Sequence, residues 1–218
     1  MIAAISLMRR RPDITLARFR SHWLDPHGVM TAELPGVRAY MQHHPIEGPG
    51  TNALARELGI EGVPELWFDD YEQRRIAYTS RRIAECNVDS ENFVGAVTRL
   101  VTEPHVVIPH TAVRAPATTG PVRVLLLAMG ASDSNWSARA EARITTLAGV
   151  TGYVRHMLLE QAAAPNSKIP ELRLAVGGIA EATFTDEPAL VQASAMLAGN
   201  GDDAARTAVY RVEDHKLV

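Results

Sequence analysis

Apolar and polar positions change their spacing several times along the first third of the chain, and each change predicts an element. Ile2-Ala-Ala-Ile-Ser-Leu-Met8 is a short apolar run followed by arginines, which predicts a buried strand. Asp13 and Thr15 then open a helix whose stripe runs through Leu16, Phe19, Trp23, His27 and Met30. Pro26 cannot donate back to His22, so a kink is expected there, and Gly28 adds local freedom. Pro35-Gly36 turns the chain into a strand over 37–46. A short helix over 52–58 stops at Gly59, and a strand follows over 62–70. Helical spacing predicts one helix over 71–83 and another over 90–101, the latter from Phe93, Val97, Leu100 and Val101. Residues 104–110 read as a strand bracketed by two prolines, hence at a sheet edge.

Residues 112–121, rich in Ala, Thr, Pro and Gly, read as a linker, after which the pattern restarts. Val122 to Met129 is an apolar strand, Trp136 to Leu147 a helix, and Gly149 to His156 another strand. Gly36, Val37, Tyr40, His43 and Glu47 return as Gly149, Val150, Tyr153, His156 and Glu160, each 113 residues later (149 − 36, 160 − 47). Val63, Glu65, Phe68 and Asp70 return as Ile179, Glu181, Phe184 and Asp186, each 116 later (181 − 65, 186 − 70). Two matches in the same order predict a tandem βαββαβ unit over 1–111 and 122–218. The fold class expected is α+β: two ferredoxin-like repeats whose antiparallel sheets pack face to face as an intramolecular barrel, helices outside.

Composition narrows the function classes. Net charge is −3 over 218 residues, and the longest basic run, Arg9-Arg10-Arg11, is too short for a nucleic-acid footprint. Cys86 is the single cysteine, which excludes an intrachain disulfide and a thiolate zinc site; it reads as an inert, half-buried residue in a loop. No apolar run approaches the roughly 20 residues that span a bilayer, and the N-terminal order of apolar residues before arginines is the reverse of a signal peptide. A cytoplasmic protein without membrane or nucleic-acid partners is expected.

His27 is the leading candidate for chemistry, because an imidazole moves protons in either direction near neutrality. Asp25, two residues away, could orient it if the kink allows. Tyr40, Gln42 and His44 share one face of their strand, and Met41 and His43 the other. Tyr40 and His44 could hold a carbonyl or hydroxyl oxygen, although the recurrence of Tyr40 as Tyr153 equally fits a core aromatic. Glu65 reads either as a base with a raised pKa or as an ion-pair partner of an arginine such as Arg38. Trp23 and Trp67 offer flat apolar walls for a ring-shaped or hydrophobic ligand. His43 and His44 face opposite ways and cannot chelate one metal. No HExxH, GxSxG or phosphate loop occurs, so neither metal nor cofactor is expected.

Phe19, Trp23 and His27-Gly28, then Leu34-Pro-Gly-Val-Arg38, Tyr40, Gln42 and His44, then Glu65-Leu-Trp-Phe-Asp69 together resemble the EthD family of the dimeric α/β-barrel superfamily. The likeness covers residues 1–110; over 119–218 it extends to the strands only, and Asn135-Trp-Ser-Ala-Arg139 brings no histidine where His27 should recur. It implies a small catabolic enzyme working without a cofactor by proton transfer (isomerase, cyclase or dehydratase type) on a small hydrophobic carbonyl or lactone. His27, His44 and Tyr40 would be catalytic, with Trp23, Asp25, Glu65 and Trp67 binding substrate. The second half would be a partner that has lost its pocket, with a further homodimer left open. Two other readings stay open: a non-catalytic binding or accessory protein for an oxygenase system, and a haem- or O2-dependent monooxygenase.

Overall fold

Side-chain alternation along eight strands builds the molecule. The computed structural model describes residues 1–109, 121–131, 134–162 and 167–218. In β1 (Ile2–Arg10), Ala3, Ile5 and Leu7 point into a shared interior, while Ile2, Ala4 and Met8 point out toward helices. The same alternation recurs in β2 (Ala39–Ile46), β3 (Val63–Phe68), β4 (Val94–Ile108), β5 (Val122–Met129), β6 (Val150–Gln161), β7 (Val176–Phe184) and β8 (Thr207–Lys216). All eight close into one antiparallel barrel in the order β1-β3-β2-β8-β5-β7-β6-β4. The first half thus runs β4-β1-β3-β2 and the second β8-β5-β7-β6. Facing across the interior is only part of how the halves join: backbone ladders β2–β8 and β4–β6 stitch their edges. Closure leaves no sheet edge unpaired among the described residues.

Corresponding strands keep corresponding registers. Ile5 lies opposite Glu65, and Leu125 opposite Glu181. Ser6 lies opposite Arg99, and Leu126 opposite Val209. His43 lies opposite Asp214, and His156 opposite Pro104.

Helices cover the outside, except that Leu54, Ala55 and Leu58 of the short third one pack against the interior cluster. The helices are α1 (Leu16–His22), a π-helical turn Trp23–His27, α2 (Gly28–Ala32), α3 (Ala53–Leu58), α4 (Tyr71–Tyr78), α5 (Arg81–Ser90), α6 (Ser134–Ile144), α7 (Glu187–Leu197) and α8 (Asp202–Arg206). Four expectations fail here. The helix expected over 71–83 breaks at Thr79, because Ser80 caps a second helix by accepting from the Ile83 amide at 3.2 Å. That second helix carries Cys86, so the cysteine is buried on α5 and not in a loop. The helix expected over 90–101 is instead the start of a fifteen-residue strand, β4. Thr98, Leu100 and Thr102 alternate there with Val97, Arg99 and Val101. Gly95 sits beside a bulge where a Cβ would lie 2.6 Å from the Arg10 carbonyl oxygen. The pseudo-helical spacing of four apolar residues was outweighed by β-branched content and sheet pairing. Pro104 is consequently not on an edge strand: it lies beyond the last β1–β4 pair, Ala3–Thr102, and is paired with β6. The linker at 112–121 falls, but for its last residue, outside the described residues.

Candidate active site

The layer between the helices and the outer face of β1, β2 and β3 gathers several polar groups of the first half. Thr15 caps α1 by accepting from the Arg18 amide at 3.2 Å. The chain then loosens as expected at Pro26 into the π-helical turn, with Asp25 extended and its bond to Pro26 cis. Gly28 is helical, and its need is space rather than freedom: a Cβ there would lie 2.9 Å from Gln42 Nε2 and 2.5 Å from Leu217. Gln42 ties β2 to this turn, donating through Nε2 to the Trp23 carbonyl and to the Tyr40 hydroxyl, both at 2.8 Å. Its Oε1 accepts from His44 Nε2 at 3.1 Å. His44 stacks on Trp23, ring centroids 4.4 Å apart and planes 10° apart, and burial depresses its pKa to about 3, so it is neutral.

His27 is held from the other side. Its Nδ1 donates to Asp89 Oδ2 on α5 at 2.8 Å, and the same carboxylate takes His22 Nε2 at 3.0 Å. Phe93 covers the ring edge-on at 4.8 Å. Burial lowers the His27 pKa, and the hydrogen bond that His27 donates to Asp89 opposes this. Burial pushes the Asp89 carboxyl up, but the two imidazole hydrogen bonds outweigh it and hold the group below its ordinary range. With Nδ1 engaged as donor, Nε2 carries the lone pair, the arrangement of a general base whose tautomer is fixed by a carboxylate. His27 lines a cavity of about 90 Å3 with Trp23, Tyr40, Cys86, Ser6 and Arg99. An apolar cavity of roughly 150 Å3 holds benzene, so this one as built admits a short chain and no ring-shaped ligand. A larger cleft of about 300 Å3 lies outside the β4–β6 seam, lined by His105, Ser137, Arg155 and Met157 among others. Its Arg155 is tied to Glu141 at 3.0 Å, and the His156 ring is bonded into the barrel, so among the described residues no comparable dyad faces it.

The barrel interior holds a second polar group, which follows the strand order. Glu65 Oε2 meets His43 Nε2 at 3.3 Å, His43 Nδ1 meets Asp214 at 2.7 Å, and Asp214 meets Arg123 at 3.1 Å. Arg123 reaches Glu181 at 3.4 Å, Glu181 meets His156 Nε2 at 2.9 Å, and His156 returns to Glu65 at 3.7 Å. Cations and anions alternate around this ring. Burial opposes the charge on His43, but the neighbouring carboxylates, Asp214 first, overcome it and raise its pKa to about 10; His156 is raised in the same way. His43, Glu65 and Glu181 could each offer a donor atom within 4.8 Å of the others. Arg123 and the two imidazoles already answer these carboxylates.

A family model, the EthD domain, matches residues 11–96. The chain carries an EthD domain. An EthD family protein of Bacillus halodurans is 22% identical over 47% of this chain and 97% of its own, with a TM-score of 0.40. Several structures match the barrel along nearly its whole length, two of them as follows. A protein described as anthrone oxidase-like covers 99% of this chain and 93% of its own at 10% identity, with a TM-score of 0.61. A candidate monooxygenase from Fusobacterium nucleatum covers 98% and 91% at 8% identity, with a TM-score of 0.54. At these identities the likeness is one of fold. The comparison with curated proteins gave no match.

Within the EthD domain the structure brings together Trp23, His27 and Tyr40 at the cavity, with His44 behind Trp23. Asp25 is exposed, and Asp89 takes the orienting place expected of it. Glu65 and Trp67 point into the barrel, away from the cavity, so the two tryptophans do not form one pair of walls. Arg38 pairs with Asp69 at the surface through Nε at 2.9 Å, not with Glu65. Asp89 and Arg99 escaped the sequence reading, since one lay between predicted elements and the other in a strand read as helix.

Proposed function

We propose that the EthD domain catalyses proton transfer at the carbon next to a carbonyl group of a small molecule held in the His27 cavity. The observation that carries this reading is the Asp89–His27 pair at 2.8 Å beside that cavity. His27 Nε2 takes the proton, and the C–H electron pair moves into an enolate whose oxygen becomes negative. Imidazolium then returns the proton to another atom or to a leaving group, giving isomerisation, cyclisation or dehydration. Burial raises the Tyr40 pKa, so its hydroxyl keeps a proton; it accepts from Gln42 and can donate to the oxyanion. His44, neutral and stacked, supports Trp23 and Gln42. Residues 1–111 and 122–218 are read as tandem ferredoxin-like repeats, the second completing the barrel. Among the described residues no helix is long and apolar enough to cross a membrane.

The test is solvent deuterium uptake by small ketones, lactones and oxo acids, followed by NMR. Uptake lost in His27→Ala supports the reading, and uptake unchanged in that variant removes His27 from the mechanism. A second reading, oxidation of a carbon acid by oxygen, draws on the full-length match to the anthrone oxidase-like protein. Oxygen consumption that tracks substrate would favour it.

A further inference from the structure

Arg99 stands out among the buried and half-buried arginines. It projects from the outer face of β4, opposite Ser6 of β1, and both line the cavity that His27 lines. Its Nη2 donates to Ser167 Oγ at 3.1 Å, and no carboxylate of the described residues lies within ion-pair distance. Residues 163–166, next to Ser167 in the chain, are Ala-Ala-Pro-Asn and contain no acid. Among the other shielded arginines, Arg10 pairs with Glu61 at 3.2 Å, Arg123 with Asp214 at 3.1 Å and Arg211 with Glu187 at 2.7 Å, while Arg9, Arg20 and Arg206 donate to main-chain carbonyls and stand outside the His27 cavity. Burial lowers the Arg99 pKa with only the Tyr78 hydroxyl opposing, as for a cation short of a counter-charge. At the position pairing the same way in the second half stands Val209, in an apolar layer, so the barrel does not require a cation here.

We propose that Arg99, with Ser6 beside it, binds the carboxylate of the substrate, so that the molecule offered to His27 is a small oxo or unsaturated carboxylic acid. A guanidinium presents a planar fork that matches a carboxylate, and a charge-assisted pair in a sheltered cavity binds strongly and fixes orientation. The remaining walls, including Met8, Leu66 and Val97, receive the short apolar part. The assignment rests on the proton-transfer reading for its chemistry, but the anion site can be tested separately.

Pyruvate and its uncharged isostere 2,3-butanedione are suitable probes, compared by calorimetry and by methyl deuterium exchange. The wild-type chain should bind pyruvate at least tenfold more tightly. Arg99→Gln should abolish the preference, and Arg99→Lys should restore part of it, which guards against a folding defect. Equal binding of the two probes, binding of neither, or a preference that survives in Arg99→Gln overturns the assignment. His27→Gln should keep the preference while losing exchange. A carboxylate preference without any exchange would sink the proton-transfer reading and leave the anion site standing; exchange on butanedione without the preference would do the reverse.

Discussion

The two halves of the barrel share strand order and register, yet the polar residues that one half has and the other lacks lie on opposite sides of the sheet. In the first half the outer layer carries Ser6, Arg99 and His27 around a cavity. The second half has Leu126, Val209 and Ala140 there, all buried in one apolar cluster with Trp136. Trp23 and Trp136 fix the alignment, since His27 and Ala140 follow them at the same distance (27 − 23, 140 − 136). Inside the barrel the asymmetry reverses. Glu65 and Glu181 match, as do His43 and His156, but Arg123 stands where the first half has Ala3, and Asp214 where it has Pro104. A buried polar group is costly unless it is partnered. The interior charges are partnered around a closed ring, whereas the outer layer of the first half sets an imidazole, and a guanidinium without a carboxylate partner of its own among the described residues, beside a cavity. The difference separates polarity that holds the fold from polarity available to a ligand.

Removing the imidazole is the strongest way to break that contrast. His27→Ala gives the first half the residue the second already tolerates, so the fold should survive. Loss of a general base typically costs 10²–10⁴-fold in rate, and a drop of that order in deuterium exchange is expected. Asp89→Asn should cost less, since it keeps the ring in place but permits the wrong tautomer. A circular-dichroism melt within a few degrees of wild type checks that activity, not folding, was lost.

Much of this contrast was legible before any coordinates. The recurring glycine, tyrosine, histidine and glutamate positions marked the parts that both halves use, and the absence of a histidine after Trp136 marked the loss. His27, Trp23 and Tyr40 could be placed together because they share one helix–strand unit. Asp89 could not, because its meeting with His27 spans 62 positions and depends on α5, which the sequence reading did not resolve. Glu65 went astray because alternation says which residues share a face but not which face looks into the barrel.

Breaking the ring tests the other side of the comparison. Arg123→Met removes a cation from between Asp214 and Glu181 and leaves two buried carboxylates facing each other. The expected loss is about 3–5 kcal/mol, read from the urea midpoint. The double variant Arg123→Met, Asp214→Leu should recover much of it, because an apolar replacement of a whole buried pair is often neutral. A single variant no less stable than wild type would show that the ring is dispensable.

Titration distinguishes the two regions in opposite directions. His27 has a lowered pKa, so the active neutral form persists below the ordinary imidazole value, near 6.5. Exchange should be flat at neutral pH and fall about tenfold per unit only once pH drops below that shifted midpoint. His43 has a pKa raised to about 10. Its contribution to stability is fully present below the unfolded value near 6.5 and is lost as pH rises through about 10. Asp214, held down chiefly by His43 against the upward push of burial, contributes above the ordinary carboxylate range and loses that contribution as pH falls through its lowered value. The urea midpoint should therefore decline at alkaline pH while exchange stays level, and a common midpoint for both would refute the separation.

The smallest effect is also the most discriminating of packing. Trp23 and Trp136 each lie on a glycine, Gly62 in an isolated bridge to Met8 just before β3 and Gly178 within β7. A Cβ at Gly62 would come 2.7 Å from Trp23, and one at Gly178 would come 2.6 Å from Trp136. Trp136 is fixed: its indole N–H donates to Thr207 at 3.0 Å, and apolar side chains fill the layer around it. Trp23 borders the cavity and can yield toward it. Overpacking costs about 1–3 kcal/mol, so Gly178→Ala should fall near the top of that range and Gly62→Ala near the bottom. The displaced Trp23 would take up cavity space, so Gly62→Ala should also weaken carboxylate binding, whereas Gly178→Ala should leave it intact. Equal destabilisation with unchanged binding would mean that the first-half layer is as tightly filled as the second, and that the cavity has no slack for a ligand to use.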